Sequence, residues 1–133
     1  MLAQAPEGPA VRMTAADHLQ LSALSDTADS LGGAMLSREV DRAIVVGPDE
    51  ADQGFVRLHS QVQYVDLVSG RTRILAVVPP SEADVDQRRV SVLSPVGAAL
   101  IGLAAGDSYA WNDEAGRRHV LVVVDVEGED AQA

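Results

Sequence analysis

The chain has 133 residues, 47% of them hydrophobic, which is enough for one domain with a small appendage. Its 20 acidic against 10 basic residues give a net charge of −10, which repels nucleic acid phosphates and suits a basic surface on a protein partner. The absence of cysteine excludes disulfides, thiolate metal sites and cysteine catalysis, and one Phe, two Tyr and one Trp argue against a roomy aromatic ligand pocket.

Residues 1–13 carry two prolines, a glycine and no periodicity, and read as a flexible tail. They have neither a basic leader region nor a long apolar stretch, and no apolar run reaches the ~20 residues that span a bilayer. A soluble, cytoplasmic protein with no membrane association is the expectation. Thr14 and Asp17 form a T-x-x-D capping signature, followed by a helix to about Leu24. "SDTADS" (25–30) is a polar turn. Leu36, Val40, Ala43 and Ile44 mark one face of a second helix, from about Gly33 to Val45. Together, residues 14–47 predict a short antiparallel helical hairpin that Gly47-Pro48 ends.

The period then changes to that of strands. "VQYVDL" (62–67), a Ser69-Gly70 turn and "RTRILAVV" (71–78) predict a β-hairpin, closed by Pro79-Pro80. "SEADVDQRR" is a polar loop and "VSVL" (90–93) a short strand. Ser94 suits an N-cap, Pro95 the first helical position, and Gly102 the left-handed end of a two-turn helix. Gly106-Asp107 turns into the strand "SYAW" (108–111), "NDEAG" is a hairpin loop, and "RRHVLVVVDV" (117–126) is the last strand. The predicted class is α+β: a helical hairpin, then an antiparallel sheet of about five strands with one short helix over 50–127, and a frayed acidic end at 128–133.

Residues able to carry chemistry are few. His18, His59 and His119 lie far apart, with no metal-ligand spacing, and no phosphate-binding glycine loop is present. Ser94 sits at a strand-to-helix junction in L-S-P-V-G rather than G-x-S-x-G, where proline replaces an oxyanion donor; a cap is the better reading than a nucleophile. The glycines read as turn punctuation. Asp26 and Asp29, between the helices, are a carboxylate pair that could hold Mg²⁺ or could simply cap two helix ends. Arg71 and Arg73 share a strand face, and Arg88-Arg89 and Arg117-Arg118 add positive charge; these could form an anion- or acid-binding surface, but an ordinary solvated sheet face is the better reading. No cofactor is implied.

"VSVLSPVGAALIGLAAGDSYAWNDEAG" (90–116) resembles the C-terminal domain signature of the bacterial Gre transcript-cleavage factors. Ser94, Pro95, Gly97, Ala99, Leu100, Gly102, Gly106 and Asp107 match it, and Ala105 departs from its usual valine. "HSQVQYVDLVSGRTRILAVVPP", "PVGAALIGL" and "EVDRA" (39–43) are also similar to the regulator of nucleoside diphosphate kinase family, shorter relatives of the Gre factors. The resemblance implies an FKBP-like C-terminal domain and binding to RNA polymerase near its secondary channel. A monomer is the expectation. Gre factors reach the polymerase active centre with a long coiled coil whose acidic tip helps to hold a catalytic Mg²⁺. A helix of about twelve residues spans only ~18 Å, so the catalytic role is not carried over to Asp26 and Asp29.

The expectation is thus a polymerase-binding regulator without cleavage activity, which is not an enzyme and does not contact nucleic acid directly. The alternatives are a Gre-like cleavage factor acting through Asp26 and Asp29, a peptidyl-prolyl isomerase on the FKBP-like fold, and an adaptor binding another protein through an exposed sheet edge. An isomerase needs an aromatic pocket, and nothing in the sequence gathers Phe55, Tyr64, Tyr109 and Trp111.

Overall fold

The computed structural model describes residues 10–47, 49 and 54–129. Two short strands, β1 (Arg12–Thr14) and β2 (Ile44–Val46), pair in parallel and bracket the helices α1 (Ala15–Thr27) and α2 (Leu31–Arg42). The expected tail is therefore structured from Val11 onward. Val11 and Met13 are each 1% exposed, and Arg12 N donates to Gly102 O at 3.1 Å. A three-residue strand needs no periodic pattern of its own when neighbours on both sides supply its hydrogen bonds. Residues 1–9 lie outside the described residues.

The helices differ from their sequence pattern at both ends. Thr14 Oγ1 accepts from Asp17 N at 3.1 Å, but the Asp17 carboxylate does not turn back to complete a capping box. It accepts instead from Leu58 N, 41 residues away, at 3.1 Å, and so ties the hairpin to the chain that enters the sheet. α1 continues to Thr27, and in its last turn the hydroxyls of Ser25 and Thr27 donate back to the carbonyls of Ser22 and Leu24. α2 begins early, with Ser30 as its cap: Ser30 Oγ accepts from Gly33 N at 3.1 Å. It stops at Arg42, since the β-branched run from Ile44 pairs with β1.

Five further strands, β3 (Ser60–Asp66), β4 (Arg71–Val78), β5 (Arg89–Ser91), β6 (Ser108–Asn112) and β7 (Arg118–Glu129), form one sheet in the order β5-β4-β3-β7-β6. The β4–β5 pair is parallel, with Ala76 opposite Arg89, where an all-antiparallel sheet is expected. The loop between them makes two 3₁₀ turns, Pro80–Glu82 and Val85–Gln87, and these bring β5 back alongside β4 in the same direction. β7 stays paired to Glu129, opposite Ser60, beyond the expected end at Val126. Register shifts beside Ser60 and Gln63 curl the β3–β7 ribbon over the core. The alternation Ser60, Val62, Tyr64 sets the buried face of β3.

The short helix α3 (Pro95–Leu100) is capped by Ser94, whose Oγ accepts from Gly97 N at 3.1 Å and donates to Ser91 O at 2.6 Å. Gly97 is more than punctuation. A Cβ there would lie 2.9 Å from both the Ser91 carbonyl carbon and Val92 Cα. Gly32 of α2 meets the same turn from the other side, where a Cβ would lie 2.7 Å from the Leu93 carbonyl carbon. Gly102, at φ +82°, leaves room for the Val11 side chain. α2 is also joined to β6. Glu39, 3% exposed, accepts from the Tyr109 hydroxyl at 2.8 Å through Oε2 and from Arg42 Nε at 2.7 Å through Oε1. Burial, and then the Glu39 charge, raise the proton affinity of the Tyr109 phenol well above its ordinary range.

Gly97→Ala presses a methyl group against backbone that cannot step aside and costs about 2–3 kcal/mol of stability in urea titrations. Gly47→Ala, with open space around it, stays within about 0.5 kcal/mol of the parent. Tyr109→Phe leaves one oxygen of buried Glu39 without its donor and costs about 1–3 kcal/mol near neutral pH. Because the folded state holds the Tyr109 proton more tightly than the unfolded chain, its contribution is fully present below about pH 10 and is lost as pH rises beyond that. Urea midpoints between about pH 8 and about pH 11 fall less steeply in Tyr109→Phe, the remaining fall coming from Tyr64, whose burial also raises its proton affinity.

Candidate functional site

The hairpin tip carries both candidate carboxylates, and both are exposed. Asp26 lies in the last turn of α1, and Asp29 in the turn between the helices. Among the described residues neither side chain makes a hydrogen bond. Neither caps a helix, one of the two roles open to them from the sequence, because Ser30 takes that place for α2. No cluster of three or more His, Cys, Asp or Glu with metal-binding geometry occurs among the described residues.

The arginines are more organised. Arg73 on β4 meets Arg88 and Arg89 at the β4–β5 end of the sheet. There they line a cavity of about 450 Å³ together with Ile74, Leu75 and Val85. Among the described residues β5 pairs with residues 76–78 of β4, so the first half of β4 has no strand beside it on that side, and Val85 of the second 3₁₀ turn lines the cavity there. Arg88 closes the second turn in the left-handed region at φ +57°, a conformation that costs a non-glycine residue energy. Val85 is 88% exposed and Ile74 42% exposed. Apolar groups thus stand beside guanidinium groups that suit carboxylates in a two-point grip. Arg71, on the same strand face as Arg73, sits opposite Asp66 at the hairpin turn and does not line this cavity. Val85 was the residue missed; the signal for it was a lone valine inside the polar run "SEADVDQRR".

The signature residues hold the fold itself and do not line this cavity. Leu100 is fully buried, Pro95 opens α3, and Gly102 and Gly106 take φ of +82° and +92°. Asp107 Oδ2 accepts from Ala104 N at 2.9 Å and closes the turn before β6. The Ser94 hydroxyl has both its donor and an acceptor lone pair engaged in capping. Each histidine has its own local partner: His18 with Val40 O, His59 with Glu82 and His119 with Asp113. The last contact, followed by backbone donors from Arg117 and Ala115, keeps the Asp113 carboxyl below its ordinary range. Of the four aromatic residues the fold does gather two. Tyr109 and Trp111 have ring centroids 6.2 Å apart, and His119 stacks on Trp111 at 5.0 Å. Phe55 bridges to Ala104 and Tyr64 lies opposite Arg73, so the four do not form one pocket.

Residues 50–128 match the family described as transcription elongation factor, GreA/GreB, C-term. The regulator of nucleoside diphosphate kinase of Escherichia coli (strain K12) is 36% identical over 92 residues, 69% of this chain and 68% of that protein. Transcription elongation factor GreA of Thermodesulfovibrio yellowstonii is 35% identical over 72 residues, covering 54% of this chain and 46% of that protein. Among solved structures, the prokaryotic transcription elongation factor GreA/GreB from Nitrosomonas europaea superimposes with a TM-score of 0.70 at 32% identity, over 90% of this chain and 98% of the other. No helix among the described residues is long and apolar enough to cross a membrane. The chain belongs to the GreA/GreB C-terminal family and is a transcription-associated regulator related to the regulator of nucleoside diphosphate kinase.

Proposed function

We propose that the protein binds RNA polymerase near its secondary channel and regulates transcription without promoting transcript cleavage. The observation that carries this reading is reach. α1 has 13 residues and α2 has 12, so the hairpin extends ~20 Å at ~1.5 Å per residue. Bound at the channel rim, such a hairpin occupies the entrance and leaves the catalytic centre untouched. Asp26 and Asp29 then sit at the rim as solvated charges rather than as ligands of a catalytic metal. Docking falls to the sheet domain, where Arg73, Arg88 and Arg89 beside Val85 and Ile74 offer a mixed basic and apolar surface to an acidic patch on the polymerase.

The test is equilibrium binding to core RNA polymerase with a Gre factor as competitor. The parent binds and displaces the Gre factor. Arg73→Glu/Arg88→Glu weakens binding at least about tenfold, equivalent to about 1.4 kcal/mol. Backtracked complexes release no short RNA on addition of the parent, and Asp26→Ala/Asp29→Ala changes neither that result nor the affinity. Absence of binding at micromolar concentration removes the polymerase reading, and cleavage that depends on Asp26 and Asp29 replaces it with that of an active cleavage factor.

A further inference from the structure

We propose a second interaction surface: the groove between α2 and the free edge of β6 takes an extended, acidic segment of a protein partner as a sixth strand of the sheet. β6 is the last strand of the sheet, and among the described residues β7 alone pairs with it. Asp113 N donates to Arg117 O at 2.8 Å, and at the other end Val123 N donates to Asp107 O at 2.9 Å. With Tyr109 opposite Leu121 and Trp111 opposite His119, the alternation of an antiparallel ladder turns the backbone of Tyr109 and Trp111 toward β7. The N–H and C=O groups of Ser108, Ala110 and Asn112 therefore face the open side. The same three residues line a cavity of about 900 Å³ whose opposite wall is α2.

That wall has an apolar end and a basic end. Leu31 and Met35 supply the first, Arg38 and Arg42 the second, and Arg118 closes the groove beside Asn112. Glu39 is the one acidic residue of the lining, and both its oxygens are engaged, by Arg42 and by the Tyr109 hydroxyl. Among the described residues Arg38 and Arg118 have no carboxylate within ion-pair distance. A chain of net charge −10 thus presents a locally positive groove. A small anion would leave the row of outward backbone groups unused, whereas an added strand pairs with them and points alternate side chains at the arginines. Five residues of β6 match a segment of ~17 Å. Proteins usually blunt such an edge with lysine or proline, but β6 has neither, and its outward residues Ser108, Ala110 and Asn112 are compact. A second copy of this chain is the poorer occupant, since it brings Arg38 and Arg118 against their own counterparts.

The probe is a ten-residue peptide of alternating Glu and Val added to the full chain, read by amide hydrogen exchange and by titration. Ser108, Ala110 and Asn112 gain protection, while Tyr109 and Trp111, already paired to β7, do not change. A Lys–Val peptide of the same length does not bind. Arg38→Glu/Arg118→Glu weakens the Glu–Val peptide at least about tenfold. Ala110→Pro does the same by removing an N–H that β7 does not use, a change that edge strands tolerate. Circular dichroism confirms that each variant is folded, and the arginine pair keeps the test decisive if the proline variant is not. The proposal is overturned if millimolar peptide leaves the three edge amides unprotected, or if a nucleoside triphosphate competes with the peptide through the same arginines without edge protection. Sedimentation showing that the free chain dimerises through β6 also overturns it. All of these readouts use the free protein, so their outcome is independent of polymerase binding.

Discussion

Three segments meet at the turn Ser91–Gly97, and the placement of everything N-terminal to it depends on that meeting. The Ser94 hydroxyl bridges Ser91 O and Gly97 N, which fixes the turn locally. Gly97 then presses α3 onto the backbone of Ser91 and Val92, and Gly32 presses α2 onto Leu93 and Ser94. Backbone against backbone is the closest approach that two elements can make, and only glycine permits it. Close packing of this kind is also unforgiving, because neither partner has a side chain that can rotate away. The hairpin is consequently seated against the sheet domain rather than tethered to it.

That seating explains the pattern of polar ties between the two parts. The Asp17 carboxylate bonds Leu58 N at the start of the hairpin, and Glu39 takes the Tyr109 hydroxyl near the end of α2. Two points along a pair of helices define an orientation as well as a position. Glu39 tolerates burial because two donors satisfy its oxygens, one of them the cationic Arg42. The same contact holds α2 alongside β6 at the spacing that leaves the groove open between them. The groove is therefore a consequence of the packing and not of a flexible loop.

The elements with a strong local signal were legible in the sequence. β4 occupies the residues expected of it, and the Ser94-Pro95 start and left-handed Gly102 end of α3 follow from capping chemistry that any six-residue helix must satisfy. What could not be read was long-range. β1 has three residues and borrows its order from Ile44 and Gly102. The parallel β4–β5 pair depends on how two 3₁₀ turns redirect the chain. Gly97 looks like a turn residue, and its true role depends on Ser91 being underneath it. For the surfaces the limit was similar. Arg73, Arg88 and Arg89 were visible as basic residues, but their convergence with Val85 depends on that loop. Arg38, Glu39 and Tyr109 come together across 70 residues of sequence, which no spacing rule detects.

Charge behaves differently at different distances here. Seen from afar, a net charge of −10 favours a basic partner and resists nucleic acid. Seen within a Debye length of ~8 Å, the local groups dominate, and six of the ten basic residues lie in two cavities at opposite ends of the sheet. All ten are arginines; the chain has no lysine. A guanidinium offers a planar fork that grips a carboxylate at two points and stacks on aromatic faces, whereas an ammonium is a strongly hydrated point charge. An acidic protein with most of its arginines gathered at two sites resists indiscriminate association with polyanions through its long-range field. At contact it still rewards a carboxylate presented in the right geometry, a combination that suits recognition of acidic protein surfaces better than recognition of nucleic acid.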